Sequence, residues 1–286
     1  MKFLSTLKAT AAGAALALCL SGPATAGPVI LGGDDLTDHG SRSGGGANLL
    51  GWLYIENAIN DLDNNQTRPG IITHDIVALG SSDPGAFTGG DAGGAIRSVA
   101  DVLGLSVLYI EGAAALTAFF ADLAGGVVNP AIMWIAGDEA SNDLDTAEKA
   151  VINASGTIFD SFVTSGGGLM SHGDEDVYAW LGTLIAGITI NNSCSNGTAS
   201  LTAAGIAAFP TLTNTDIQSG PCHNTFEGSF GGLSVLAFDS NQRALIIGGD
   251  VTSAGGGIGG DIPEPAPLAL LGLGLLGLGL ARRRRG

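Results

Sequence analysis

The stretch that most limits the fold is residues 131–136, AIMWIA, six apolar side chains in unbroken succession. A strand with one wet face alternates apolar and polar positions, because successive side chains point to opposite sides. A run with no polar position is a strand covered on both faces, as in a parallel sheet packed between two layers of helices. The flanking sequence supplies those layers. Short apolar strands are expected at residues 28–31, 75–79, 106–110 and 169–171. Helices are expected at 49–62, 94–103, 114–123, 146–163 and 177–185, from apolar residues at helical spacing. The longest of these, 146–163, opens with Asp145 as N-cap and Glu148 three residues on, the pattern of a capping box. Residues 233–238 and 244–247, with a turn at 239–242, read as a terminal hairpin. Strands alternating with such helices give right-handed crossovers, and hence an α/β, three-layer, doubly wound and mainly parallel sheet of the flavodoxin-like kind. In that architecture ligands bind beyond the carboxyl ends of the strands. Those ends fall at residues 32–35, 111–112, 137–145 and 171–176.

The first 26 residues stand apart. Lys2 and Lys8 flank an apolar stretch over 9–20, and Ala24-Thr25-Ala26 forms a small-x-small cleavage site. This is the pattern of a secretory signal peptide, removed by signal peptidase to leave a chain starting at Gly27. Cys19 leaves with it, while Cys194 and Cys222 remain. In an oxidising compartment one disulfide between them is expected. It closes a loop of about 28 residues and contributes about 3 kcal/mol through the unfolded state. Six of the eleven basic residues lie in the terminal segments. Only Arg42, Arg68, Arg97, Lys149 and Arg243 stand between, against nearly all of the 27 acidic residues. A surface so negative repels a phosphate backbone, which excludes nucleic acid as a partner, and it attracts cations.

The C-terminus follows a second distinct pattern. After a globular region at 27–250 comes a glycine-rich linker, 251–262, and then Pro263-Glu264-Pro265. A small and apolar run from 266 to 281 follows, closed by Arg282, Arg283, Arg284 and Arg285. Sixteen residues are short for a permanent span of about 20. The arginines are expected to stay on the cytoplasmic side. This order of parts resembles the PEP-CTERM sorting signal of Gram-negative bacteria. The resemblance implies recognition by an exosortase, a transient inner-membrane anchor, cleavage near the Pro-Glu-Pro motif, and delivery to the cell surface or beyond. It also implies an exopolysaccharide-producing, biofilm-forming host.

Within the globular region, the helix running into Gly166-Gly167-Gly168, the strand 169–171 and the turn Ser171-His172-Gly173 resemble the nucleophile region of class I glutamine amidotransferase-like domains. The enzymes of that superfamily carry Cys at this turn; here Ser171 and His172 occupy it, so thiol chemistry is excluded. The trehalose-utilisation-like branch, with His at the turn, is the nearer comparison. Two functional readings follow. In the first the domain is non-enzymatic, an envelope or extracellular-matrix protein that binds carbohydrate, such as exopolysaccharide, or cations. In the second it is an envelope hydrolase using Ser171 or His172, with His223 as base and Glu227 as acid. Carboxylates gather at Asp34-Asp35-Asp38, at Asp138-Glu139-Asp143-Asp145 and at Asp174-Glu175-Asp176. Calcium is the one cofactor such loops suggest, but EF-hand spacing is absent. No zinc-type spacing is present, so no metal ligands are assigned. No phosphate loop or dinucleotide fingerprint appears either.

Overall fold

The computed structural model describes residues 26–85, 89–137, 142–173 and 175–251, all within one compact unit that ends at Ser253. The signal peptide, the linker from residue 252 onward, and the sorting segment with its apolar run and arginines lie outside the described residues. Among the described residues no helix is long and apolar enough to cross a membrane.

Strand β1 (Pro28–Gly32) leads through a small separate hairpin, β2 (Gly40–Arg42) and β3 (Asn48–Leu50), into helix α1 (Gly51–Asn65). Then come β4 (His74–Leu79), α2 (Ala92–Leu103), β5 (Val107–Ile110), α3 (Ala113–Ala124) and β6 (Pro130–Ile135). Helices α4 (Thr146–Ala154) and α5 (Gly156–Thr164) precede β7 (Gly168–Ser171). After a 3₁₀ turn at Glu175–Val177 and the one-turn helix α6 (Leu181–Leu184), the chain forms β8 (Ile188–Asn191), β9 (Ser200–Leu201), α7 (Ala203–Ala208) and β10 (Thr225–Gly228). A hairpin, β11 (Ser234–Phe238) and β12 (Ala244–Asp250), completes the domain.

Ten strands form one sheet in the order β5-β4-β6-β7-β1-β12-β10-β8, with β11 and β9 joined through β12. From β5 to β1 all pairings are parallel; from β12 outward they are antiparallel. The parallel part has the order of a flavodoxin-like sheet, with the first strand of the chain standing where the fifth would stand. Strand β12 uses one edge for β11. Along its other edge lie β1 and then β10, end to end: Gly32 faces Ile246, and Phe226 faces Ala244.

Side chains of β6 go alternately to two separate cores. Ile132 and Trp134 join a cluster with Trp52, Tyr54 and Ile96 of α1 and α2. Met133 and Ile135 join Phe119 and Phe120 of α3, Phe159 of α5 and Trp180. Helices therefore cover both faces, and the uninterrupted AIMWIA run is the consequence of that double burial.

Two helices differ from the sequence reading. The span 146–163 is not one helix but two, broken at Ser155. The Ser155 hydroxyl donates back to the Val151 carbonyl at 2.8 Å, and the absent side chain of Gly156 lets the Trp180–Thr183 segment approach. A Cβ there would lie 2.8 Å from the Thr183 hydroxyl. The capping box at its start is present, with both reciprocal bonds between Asp145 and Glu148. The span 177–185 is a 3₁₀ turn and a single helical turn. Here the Tyr178 hydroxyl donates to the carbonyls of Gly32 at 2.7 Å and Ser171 at 2.9 Å, which ties the segment to the strand ends instead of letting it coil freely.

Candidate functional site

The crossovers decide where a crevice can form. Helices after β1 and β4 pack on one face, and helices after β5 and β6 on the other. The segment after β7, with Val177, Tyr178 and Trp180, also packs on the second face. Neighbouring strands whose chains leave to opposite faces are therefore β5 with β4, which α2 joins directly, β4 with β6, and β7 with β1. At such points the loops part and leave room beyond the strand ends.

The β4/β6 point is closed by its own loops. Asn142, at φ 71°, accepts from the backbone and hydroxyl of Ser82 at 2.9 Å each, and donates to the Ser82 carbonyl and to Asp91. Leu144 fills the space over Gly80, where a Cβ would meet its side chain at 2.0 Å.

The β7/β1 point holds a buried polar cluster. Asp34, immediately beyond β1, is 1 % exposed, and His172, immediately beyond β7, is 0 % exposed. His172 Nδ1–H donates to Asp34 Oδ1 at 2.9 Å, and the Leu36 backbone N–H donates to the same oxygen at 3.2 Å. The Gly173 backbone N–H donates to the Asp34 carbonyl, so the two loops are stitched at two levels. Tyr54 of α1 stands against the carboxylate. Its phenol is pushed well above the ordinary range by burial first, then by the Asp34 charge, and it stays protonated. The rings of Tyr54 and Trp134 meet the imidazole edge-on, at centroid distances of 5.8 and 6.0 Å. His172 Nε2 is buried without a hydrogen-bond partner among the described residues. Ser171 is fully buried too, and its hydroxyl donates weakly to the His172 carbonyl at 3.4 Å rather than to an imidazole.

Above this pair lies a more exposed group from two loops. The segment after β1 brings Asp35, Asp38 and His39; the segment before β10 brings His223. His39 Nε2 is 3.1 Å from Asp38 Oδ1 and 3.5 Å from Asp35 Oδ2, and His223 Nε2 is 3.3 Å from the same Asp35 oxygen. Several constraints set this meeting. A disulfide joins Cys194 to Cys222, next to His223. Asp34 and Cys222 form an isolated antiparallel bridge, and the backbone N–H groups of His223 and Asn224 both donate to the Gly33 carbonyl. Gly33 is required at this crossing: a Cβ would lie 1.9 Å from the Asn224 carbonyl oxygen.

Of the residues proposed for hydrolysis, the structure therefore places Ser171 and His172 together at the buried turn. It places His223 beside Asp35 in the outer cluster. Glu227 stands on an exposed part of β10, where the Asn191 amide donates to it at 2.6 Å. Of the acidic loops, Asp145 serves as a helix cap, Asp176 faces Lys149 at 3.7 Å, and residues 138–141 and 174 lie outside the described residues. Sequence reasoning missed two groups: Asp34 as the partner of His172, and the convergence of Asp35, Asp38 and His39 with His223. The second joins residues far apart in the chain. Only the disulfide at Cys222 signalled that the distant segment would be held in place.

The other functional element is at the chain's end, where the Pro-Glu-Pro triplet, apolar run and arginines follow one another. Residues 261–285 match the PEP-CTERM protein-sorting motif. The PEP-CTERM motif marks the chain as a protein exported and sorted by an exosortase to the cell envelope or surface. No curated protein and no solved structure matches the chain. The PEP-CTERM segment covers 25 residues and leaves the α/β domain to be read from its own chemistry.

Proposed function

We propose that this exosortase-sorted protein is a non-enzymatic envelope or extracellular-matrix component that binds carbohydrate or cations through the loops beyond β1 and β7. The observation that carries this reading is the complete burial of Ser171 and His172. A nucleophile and base must reach a substrate, and here the turn is roofed by Tyr54 and Trp134, with the serine hydroxyl turned to a backbone carbonyl. The outer loops, by contrast, hold imidazoles about a third exposed beside partly buried carboxylates.

The hydrolase reading on an amidotransferase-like scaffold draws on one feature, the unpartnered Nε2 of a histidine oriented by a carboxylate. Both readings meet in one experiment. The purified protein and its His172→Ala variant are assayed against chromogenic ester, amide and glycoside substrates, and in parallel against isolated exopolysaccharide in a sedimentation assay. The binding reading expects no turnover that depends on His172, and retention of the polysaccharide. Turnover abolished by His172→Ala overturns it in favour of the hydrolase.

A further inference from the structure

We infer that Asp35, Asp38 and His39, with His223 paired to Asp35, form a binding site for one divalent transition-metal ion of the zinc type. The inference names a cation for the binding face proposed above and rests on that reading. A protein that retains polysaccharide but takes up no metal loses this inference and keeps the reading.

The geometry is that of three ligand atoms gathered around a common point, with His223 paired to one of them. Zinc binds imidazole nitrogen and carboxylate oxygen at about 2.0–2.2 Å with tetrahedral angles, so the edges between its ligands measure about 3.3–3.5 Å. The three nitrogen–oxygen distances in the cluster are 3.1, 3.3 and 3.5 Å, and they share Asp35 Oδ2 and His39 Nε2 as vertices. Asp35, Asp38 and His39 each bring one ligand atom within 4.8 Å of the others. Donor chemistry selects the class of ion. An imidazole beside two carboxylates suits zinc and its neighbours, whereas calcium and magnesium prefer oxygen alone.

The site is also built before the ion arrives. Residues 33–35 are bonded to residues 221–224 through the Asp34–Cys222 bridge, the Gly33 carbonyl and the bond from Asp35 N–H to the Pro221 carbonyl at 3.3 Å. The disulfide fixes the residue before His223. Gly220 lies flat against the other imidazole, where a Cβ would come within 2.6 Å of the His39 ring. Cysteine thiolates, the usual alternative ligands, are consumed here by the disulfide, so a histidine and aspartate set is the one that fits an oxidising compartment.

The test is titration of the purified, untagged and chelator-stripped protein with zinc and with calcium, read by calorimetry. Replacement by cobalt(II) is read by visible absorption. The expected result is one equivalent of zinc, bound at least ~100-fold more tightly than calcium, and the intense visible bands of a tetrahedral cobalt centre. His39→Gln should weaken zinc by ~100-fold or more, and His223→Gln, acting through Asp35, by ~10-fold or more. The second figure is the loss that follows removal of an outer-sphere partner. His74→Gln, on a histidine at the start of β4, should change nothing. Circular dichroism on each variant separates lost binding from lost folding, and the half-exposed positions of His39 and His223 favour folding. Zinc binding unchanged in both glutamine variants, calcium binding of equal strength, or no binding at all overturns the inference.

Discussion

Alanine at position 34 tests whether the buried pair belongs to the fold or to a reaction. Asp34→Ala removes the acceptor for the Leu36 backbone N–H and for His172 Nδ1–H, and the carboxylate that faces Tyr54. Each buried donor left unpaired costs about 1–3 kcal/mol. Removing one partner of a buried, hydrogen-bonded pair typically costs about 3–5 kcal/mol. The two estimates converge on about 4 kcal/mol for this variant. Asp34→Asn keeps an oxygen for both donors and gives up only the charge, so about 1 kcal/mol is expected by the difference between charged and neutral hydrogen bonds. In a domain of this size each kcal/mol lowers the melting temperature by about 2–4 °C. Alanine should therefore lower it by about 8–16 °C and asparagine by about 2–4 °C. Urea unfolding should give a lower midpoint with an unchanged slope, the mark of lost stability rather than a changed denatured state. If Asp34→Ala and His172→Ala are neutral or stabilising, the reasoning fails. Polar groups that the fold would rather be without are the signature of a reactive site, where activity is kept at the expense of stability.

Two other perturbations probe the supports around the site. Asp239 is fully buried at the turn between β11 and β12, and accepts from the N–H groups of Asn241 and Arg243 and from the Arg243 guanidinium. Burial raises its pKa, but these bonds and the Arg243 charge outweigh it and leave the carboxyl below its ordinary value. A depressed pKa contributes stability above the unfolded value of about 3.9, and that stability is lost as pH falls through the lower folded value. Asp239→Ala should cost about 3 kcal/mol at pH 7, since Arg243 keeps some access to water, and the urea midpoint should fall less steeply below about pH 4. Replacing Cys194 and Cys222 by serine should cost about 3.5 kcal/mol by the loop-closure model for a separation of 28 residues, and should weaken zinc binding because His223 loses its neighbouring clamp. Stability unchanged in the double variant would show that the backbone bonds to Gly33 suffice.

The sequence carried the sheet and its two helical layers because local pattern and tertiary role agree there. Residues 131–136 can only be a doubly covered strand, and Asp145 with Glu148 can only open a helix economically. Where the two levels disagree, pattern failed. The span 146–163 keeps helical spacing across Ser155, but packing of the 180–183 segment on Gly156 breaks it. Residues 186–232 form short strands whose pairing partners, such as β8 for β10, are distant in the chain, so their signal is weak. The turn Ser171-His172-Gly173 was visible as a place where chemistry could sit. Its partner was not, because Asp34 reaches His172 only after β1 has inserted beside β7, 138 residues away. The choice of His223 and Glu227 as companions of that turn followed their composition. In the structure His223 instead meets Asp35, one position past the residue that holds His172.

The strand that carries the site also fixes where the described domain begins and ends. In the antiparallel pair of β1 and β12, Pro28 faces Asp250 and Gly32 faces Ile246. The first described strand therefore starts, and the last one ends, at the amino pole of β1. Asp34, Asp35 and the loop to His39 begin at its carboxyl pole. Five residues at about 3.3 Å each place these poles some 16 Å apart along β1 alone. Gly27 and Val251, at the two ends of the described domain, thus both adjoin one pole of β1. The acidic and histidine-bearing loops stand at the other. A circular order that kept β1 at the centre of the sheet but ended the domain on β10 would put its last residue at Gly228, on the strand that begins just past His223. The pairing of the first and last long strands is what places both ends of the described domain away from the candidate site.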